Sequence, residues 1–183
     1  MRLFIGIPLA REVIEALERI VRAQQARSDE LRWTSSATWH ITLQFLGATT
    51  PVQADCIVAG LGRIQSPPVP VLLDGTGFFD QAGVYFAGVD VSAELRQLQK
   101  EIVSSTSQCG FIPEDRPFHP HVTLARVKGD HRRNALKKLK MRTNPEENFP
   151  PFLATEFLLY EAFLGAGGSR YEVRARFPLR DKG

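Results

Sequence analysis

Trp39-His-Ile-Thr-Leu-Gln-Phe-Leu-Gly47 and Phe118-His-Pro-His-Val-Thr-Leu-Ala-Arg-Val127 carry the reading of this chain. Each contains His-x-Thr-Leu inside an apolar run, and His40 and His121 stand 81 residues apart. An apolar run of this kind reads as a strand, and on a strand the side chains i and i+2 share a face. His40 therefore stands beside Thr42, and His121 beside Thr123. Two such strands facing one another would line a cleft with two groups that titrate near neutrality and two neutral hydroxyl donors.

The repetition reaches beyond the motifs. An apolar strand, Leu3 to Ile7, precedes a helical pattern from Ala10 to Ala26 and a return to the strand of His40. Val84 to Val89, a helix capped by Asp90 or Ser92, and the strand of His121 repeat that order, and Ile5–His40 matches Phe86–His121 in reach. A duplicated strand-helix-strand unit with a pseudo-twofold arrangement follows. The rest fits around it: a helix over 51–64, short strands at 69–73 and 77–79 with turns at Asp74-Gly75 and 81–83, and a short helix over 131–140. A loop spans 144–151, and one long strand runs from Phe152 to Leu164. After a turn at 165–169, a half-buried strand covers 171–177, where Tyr171, Val173, Ala175 and Phe177 alternate with charged residues. The expected class is α+β: two lobes, mostly antiparallel sheets, helices on the outer faces and a central cleft.

Composition agrees with one compact body over 1–183. Of the 183 residues 43% are hydrophobic, and the net charge of +3 suits a polyanionic partner without requiring one. Cys56 and Cys109 lie far apart in no ligand spacing, so neither a disulfide framework nor a zinc site is suggested and a reducing, cytoplasmic setting is the default. The N-terminal apolar run is too short for a signal peptide or membrane span. A monomer with no membrane association is expected.

The quoted motifs resemble the paired signatures of the 2H phosphoesterase superfamily. They resemble more narrowly the bacterial and archaeal RNA 2′,3′-cyclic phosphodiesterases, also described as 2′-5′ RNA ligases. The opening RLFIGIPL, the LRW before the first motif and the closing LLYEAFLGAGGSRYEVRARFPL read like that family as well. Ala162 departs from it, since many members carry serine there. The resemblance implies motifs facing across a cleft, an RNA or oligonucleotide substrate ending in a 2′,3′-cyclic phosphate, and no metal or other cofactor. It also implies His40 as proton donor to the leaving 3′ oxygen, His121 as proton acceptor from water, and a 2′-phosphate product. Run backwards, the same groups would join a cyclic end to a 5′ hydroxyl in 2′-5′ ligation.

Opening a cyclic phosphate needs one proton removed from water and one given to the ribose oxygen, which two imidazoles can supply together. Thr42 and Thr123 can hold the phosphoryl oxygens where transition-state charge gathers. Each residue taken alone has a plain structural reading, histidine as a satisfied strand residue and threonine as a strand former; the duplicated spacing sets these aside for the pair. Three further residues are candidates for substrate binding. Gln44 has the parity of His40. His119 shares a face with His121, though Pro120 intervenes. Arg126 has the wrong parity unless a bulge intervenes, but family members often carry a basic residue there. A metal site built from His40, His119 and His121 is disfavoured because neither motif contains a carboxylate.

Between Arg126 and Arg142 stand eight Lys or Arg against one acid, Asp130, which reads either as a solvated face or as a landing strip for RNA phosphates. Trp33, Phe45, Tyr85, Tyr160 and Tyr171 can stack on a base or fill the core. Two alternatives to cyclic phosphate hydrolysis stay open: a non-catalytic nucleotide- or RNA-binding module on the same fold, and a phosphodiesterase for 2′-5′-linked oligonucleotides.

Overall fold

The computed structural model describes residues 1–25, 31–129, 148–165 and 168–181. The expected helix over 131–140 and most of the basic run lie outside them. Among the described residues, β1 (Arg2–Pro8), α1 (Arg11–Gln25), β2 (Leu31–Trp33) and β3 (His40–Ala48) form the first half of the repeat. After α2 (Pro51–Leu61) and β4 (Val69–Val71), the second half comprises β5 (Leu73–Phe79), β6 (Val84–Val89), α3 (Ala93–Ser107) and β7 (His121–Val127). The chain closes with β8 (Phe152–Ala154), β9 (Glu156–Gly165) and β10 (Gly168–Pro178).

Two four-stranded sheets result, in the orders β10-β9-β1-β3 and β2-β7-β6-β5, with a small β4-β8 pair beside them. Every strand pairing described is antiparallel. The α+β class expected from the strand and helix order is therefore what forms. Helices pack where their apolar stripes require. α1 buries Val13, Ala16, Leu17 and Val21, and α3 buries Leu95, Leu98, Ile102 and Thr106. Ser92 caps α3 by accepting from the Leu95 amide, and Thr50 with Gln53 forms a reciprocal capping box on α2, where Pro51 opens the helix. One continuous core draws from both four-stranded sheets and from α1, α2 and α3, with Ile5, Ile41, Leu98 and Leu124 fully buried.

The structure corrects four expectations. Asp74-Gly75 is no turn: β5 runs through it with a register shift between Leu73 and Thr76, and Gly75 takes φ 59°, a conformation glycine adopts without the usual Cβ clash. The apolar run from Phe152 is not one strand, since β8 pairs with β4 and β9 with β1 and β10, so the chain changes sheets at Thr155. Pairing also shifts the internal repeat by one residue. Gly6 lies opposite Thr42 and Phe86 opposite Thr123, so Gly6, not Ile5, is the counterpart of Phe86. Finally, Cys56 on α2 and Cys109 just beyond α3 form a disulfide, with Cα atoms 5.8 Å apart. Their 53-residue separation hid the contact, because α2 and α3 pack side by side only once both sheets exist. Among the described residues no helix is long and apolar enough to cross a membrane.

Candidate active site

β3 and β7 deliver the two motifs to one place. In both strands the motif residues alternate half-buried and buried: His40 and Thr42, His121 and Thr123 face one side, while Ile41, Leu43, Val122 and Leu124 sink into the core. The two imidazoles lie close enough for the charge on His121 to depress the titration of His40.

Each imidazole is oriented by a backbone carbonyl two residues upstream. Nδ1 of His40 lies 2.7 Å from the Thr38 oxygen, and Nδ1 of His121 lies 2.9 Å from the His119 oxygen. A carbonyl only accepts, so Nδ1 carries the proton and Nε2 holds the lone pair in the neutral ring. On His40 that lone pair accepts from the Thr42 hydroxyl at 3.0 Å.

Aromatic rings wall both histidines. Phe4 stands 4.6 Å from the His40 ring, and Tyr171 and Tyr160 follow at 5.3 and 5.7 Å. His121 meets Phe79 at 4.8 Å and Phe86 at 5.5 Å, and Phe79 also meets His119 at 5.1 Å. Gly6 explains a difference between the two seats. A Cβ there would lie 3.3 Å from Cδ2 of His40 and 2.8 Å from the Ile41 oxygen, so glycine lets the imidazole settle on the sheet. At the counterpart position in the other lobe the Phe86 ring fills the space, lying over Gly77. Burial accordingly pulls His40 from 6.5 down to about 4 against the Thr38 hydrogen bond, with the charge of His121 adding to the fall. Burial also lowers His121, opposed by the His119 carbonyl and reinforced by the neighbouring His119 side chain and the Arg126 guanidinium.

A bulge sits at the same place in both strands and reverses the parity beyond the threonine. β1 pairs Gly6 with Thr42 and Ile5 with Gln44, skipping Leu43; β6 pairs Phe86 with Thr123 and Tyr85 with Ala125, skipping Leu124. Gln44 is therefore not a cleft residue, which corrects its placement among the binding candidates. It is buried on the helix side, where its Oε1 accepts from the Thr106 hydroxyl of α3 at 2.8 Å. Phe45 takes the cleft position instead, 61% exposed and 6.0 Å from Phe4. In β7 the same bulge returns Arg126 to the face of His121. His119 also lies on that face, exposed.

Of the aromatic candidates, Phe45, Tyr160 and Tyr171 line the His40 side, whereas Trp33 and Tyr85 pack edge to face in the core. Sequence reasoning missed Phe4, Phe79 and Phe86, because each sits in an apolar stretch where every residue reads as core. Among the described residues no three His, Cys, Asp or Glu side chains cluster as metal ligands would.

A family model described as the 2′-5′ RNA ligase superfamily matches residues 8–161. The RNA 2′,3′-cyclic phosphodiesterase of Aquifex aeolicus is 30% identical, over 98% of this chain and 97% of its own length. The protein of that name in Geobacillus stearothermophilus is 27% identical over 96% of this chain, which spans only 56% of it. The crystal structure of E. coli LigT complexed with 3′-AMP superposes with a TM-score of 0.78 and 26% identity, covering 98% of both chains.

Proposed function

The chain belongs to the 2′-5′ RNA ligase superfamily, and from that footing we propose that it is an RNA 2′,3′-cyclic phosphodiesterase whose two histidines hydrolyse the cyclic end to a 2′-phosphate. The name shared by relatives that align along nearly the whole chain supports the activity. One observation carries the residue assignment: two bulged strands, one from each four-stranded sheet, bring His40-Thr42 and His121-Thr123 near one another with both Nδ1 atoms tied to carbonyls.

The chemistry follows from that geometry. A bound cyclic phosphate brings negative charge between the rings, and an anion favours the imidazolium that burial otherwise disfavours. Water attacks phosphorus in line with the 3′ oxygen. His121 Nε2 takes the water proton, the P–O3′ bond breaks, and His40 Nε2 gives its proton to that oxygen. Each transfer contributes roughly 10²–10⁴-fold. The Thr42 hydroxyl turns from the imidazole to a phosphoryl oxygen, and Thr123 holds another; one such preorganised donor is worth on the order of 3 kcal/mol. Arg126, on the same face as His121, neutralises charge on the phosphoryl group, and His119 contacts the substrate near the mouth. Phe45, beside Phe4, offers its exposed face to the base.

The test is incubation of the protein with 2′,3′-cyclic AMP in excess EDTA, with the product followed by phosphorus NMR. Accumulation of 2′-AMP alone is expected. A 3′-AMP product would mean that the P–O2′ bond breaks, and would contradict O3′ as the leaving oxygen. Loss of turnover in EDTA, restored by a divalent cation, would replace the two-histidine reading with a metal mechanism, and binding without turnover would favour a non-catalytic module.

A further inference from the structure

We propose that Thr34 is a positioning residue whose hydroxyl ties the two histidine motifs together and so sets how His40 and His121 face one another. This rests on the phosphodiesterase reading above and goes beyond it, because two imidazoles carried by separate sheets must also be held in a fixed mutual placement.

Thr34 stands where the chain leaves one sheet for the other. β2 pairs with β7 in one four-stranded sheet, β3 pairs with β1 in the other, and a single 3-10 turn (Ser36–Thr38) lies between them. Thr34 Oγ1 lies 2.8 Å from the Thr123 carbonyl oxygen and 2.9 Å from that of Leu124, and shares its one proton between them. The same oxygen accepts from Nε1 of Trp39 at 2.9 Å. Carbonyls only accept and an indole N–H only donates, so joining them through one atom takes a hydroxyl.

Every group that meets at Thr34 belongs to one of the motifs. Leu124 is the residue that β6 skips, so these carbonyls belong to the bulge that follows His121 and Thr123. Trp39 is buried in the core and directly precedes His40, whose Nδ1 is held by the carbonyl of Thr38. A local turn would bond Thr34 to its own neighbours, whereas these bonds span 89 and 90 residues. Satisfying a buried indole N–H needs only an acceptor; Thr34 also grips the opposite motif. Proton transfer at both ends of one displacement depends steeply on such placement, since a shift of about 1 Å can cost about 100-fold in rate.

Two substitutions separate the tie from the fold around it. Thr34→Val keeps the side-chain shape and the Thr34 N–H bond to the Leu124 oxygen at 2.9 Å, so β2 stays paired while the tie is cut. Trp39→Phe keeps an aromatic ring in the core and leaves Thr34 on the bulge, but removes the indole N–H. Steady-state hydrolysis of 2′,3′-cyclic AMP is measured well below the melting temperature of each variant, after native circular dichroism is confirmed. Thr34→Val should lower kcat about tenfold or more with KM within about twofold, while Thr34→Ser, which keeps the hydroxyl, stays within about threefold of wild type. Trp39→Phe should lower kcat as Thr34→Val does, and the double variant should fall no further, because both changes cut one link. Trp39→Phe decides the matter alone if Thr34→Val does not fold. Wild-type kcat in either folded variant, a loss confined to Tm or KM, or losses that multiply in the double variant would overturn the proposal and leave the phosphodiesterase intact. Absence of 2′-AMP from the wild-type protein would instead remove the reading on which it rests.

Discussion

At the scale of single residues, burial has made both histidines weaker bases than free imidazole. The reactive protein holds one proton on the pair, and the pH dependence of kcat/KM reports the unliganded state. His40 is lowered to about 4 and His121 below 6.5. Below roughly pH 4 both rings are charged and no base remains. Above the lowered value of His121 both are neutral and no acid remains. The kcat/KM profile for 2′,3′-cyclic AMP should therefore peak on the acidic side of 6.5 and fall tenfold per unit above its upper limb. The kcat profile should lie at higher pH, because bound phosphate favours the imidazolium. A kcat/KM optimum at or above pH 7 would contradict the burial argument. The profile does not report which ring holds the proton, since a coupled pair titrates as a pair; that role is set by which imidazole stands at the leaving oxygen.

At the scale of elements, the two motif strands were legible from the sequence and their irregularities were not. Period-two patterning placed β3 and β7 and set His40 beside Thr42, because parity holds wherever a strand is regular. A bulge inserts a residue without any local marker, and here it exchanges the faces of Gln44 and Phe45 and returns Arg126 to the cleft. The ring pairs Phe4–His40 and Phe79–His121 depend on cross-strand register and were likewise invisible. The exchanged faces predict opposite phenotypes for neighbours. Gln44→Leu removes the Thr106 hydrogen bond and should cost about 1 kcal/mol, lowering Tm by roughly 2–4 °C, with kcat and KM close to wild type. Phe45→Ala should leave Tm nearly unchanged and raise KM for 2′,3′-cyclic AMP by about fivefold or more. Thermal melts and steady-state kinetics on the two variants decide it; the reverse pattern would put Gln44 in the cleft.

At the scale of the whole molecule, duplication is what builds the site. Neither half holds both His40 and His121, and each half positions its one by the same device: a strand that starts at the imidazole, a carbonyl two residues before it and a bulge after the threonine. The shared core that joins the halves, with the Cys56–Cys109 link between α2 and α3, fixes their mutual approach. The duplicated motif spacing announced this plan from the sequence. The disulfide was not announced, because a separation of 53 residues says nothing of which helices become neighbours. The central claim is that catalysis needs one imidazole from each half. Its most direct measurement is turnover of 2′,3′-cyclic AMP by His40→Ala and His121→Ala, each checked for native circular dichroism. The account predicts that either substitution alone lowers kcat by at least about 100-fold, the contribution of one proton transfer, in a folded protein. Near-wild-type turnover by either folded variant would contradict it.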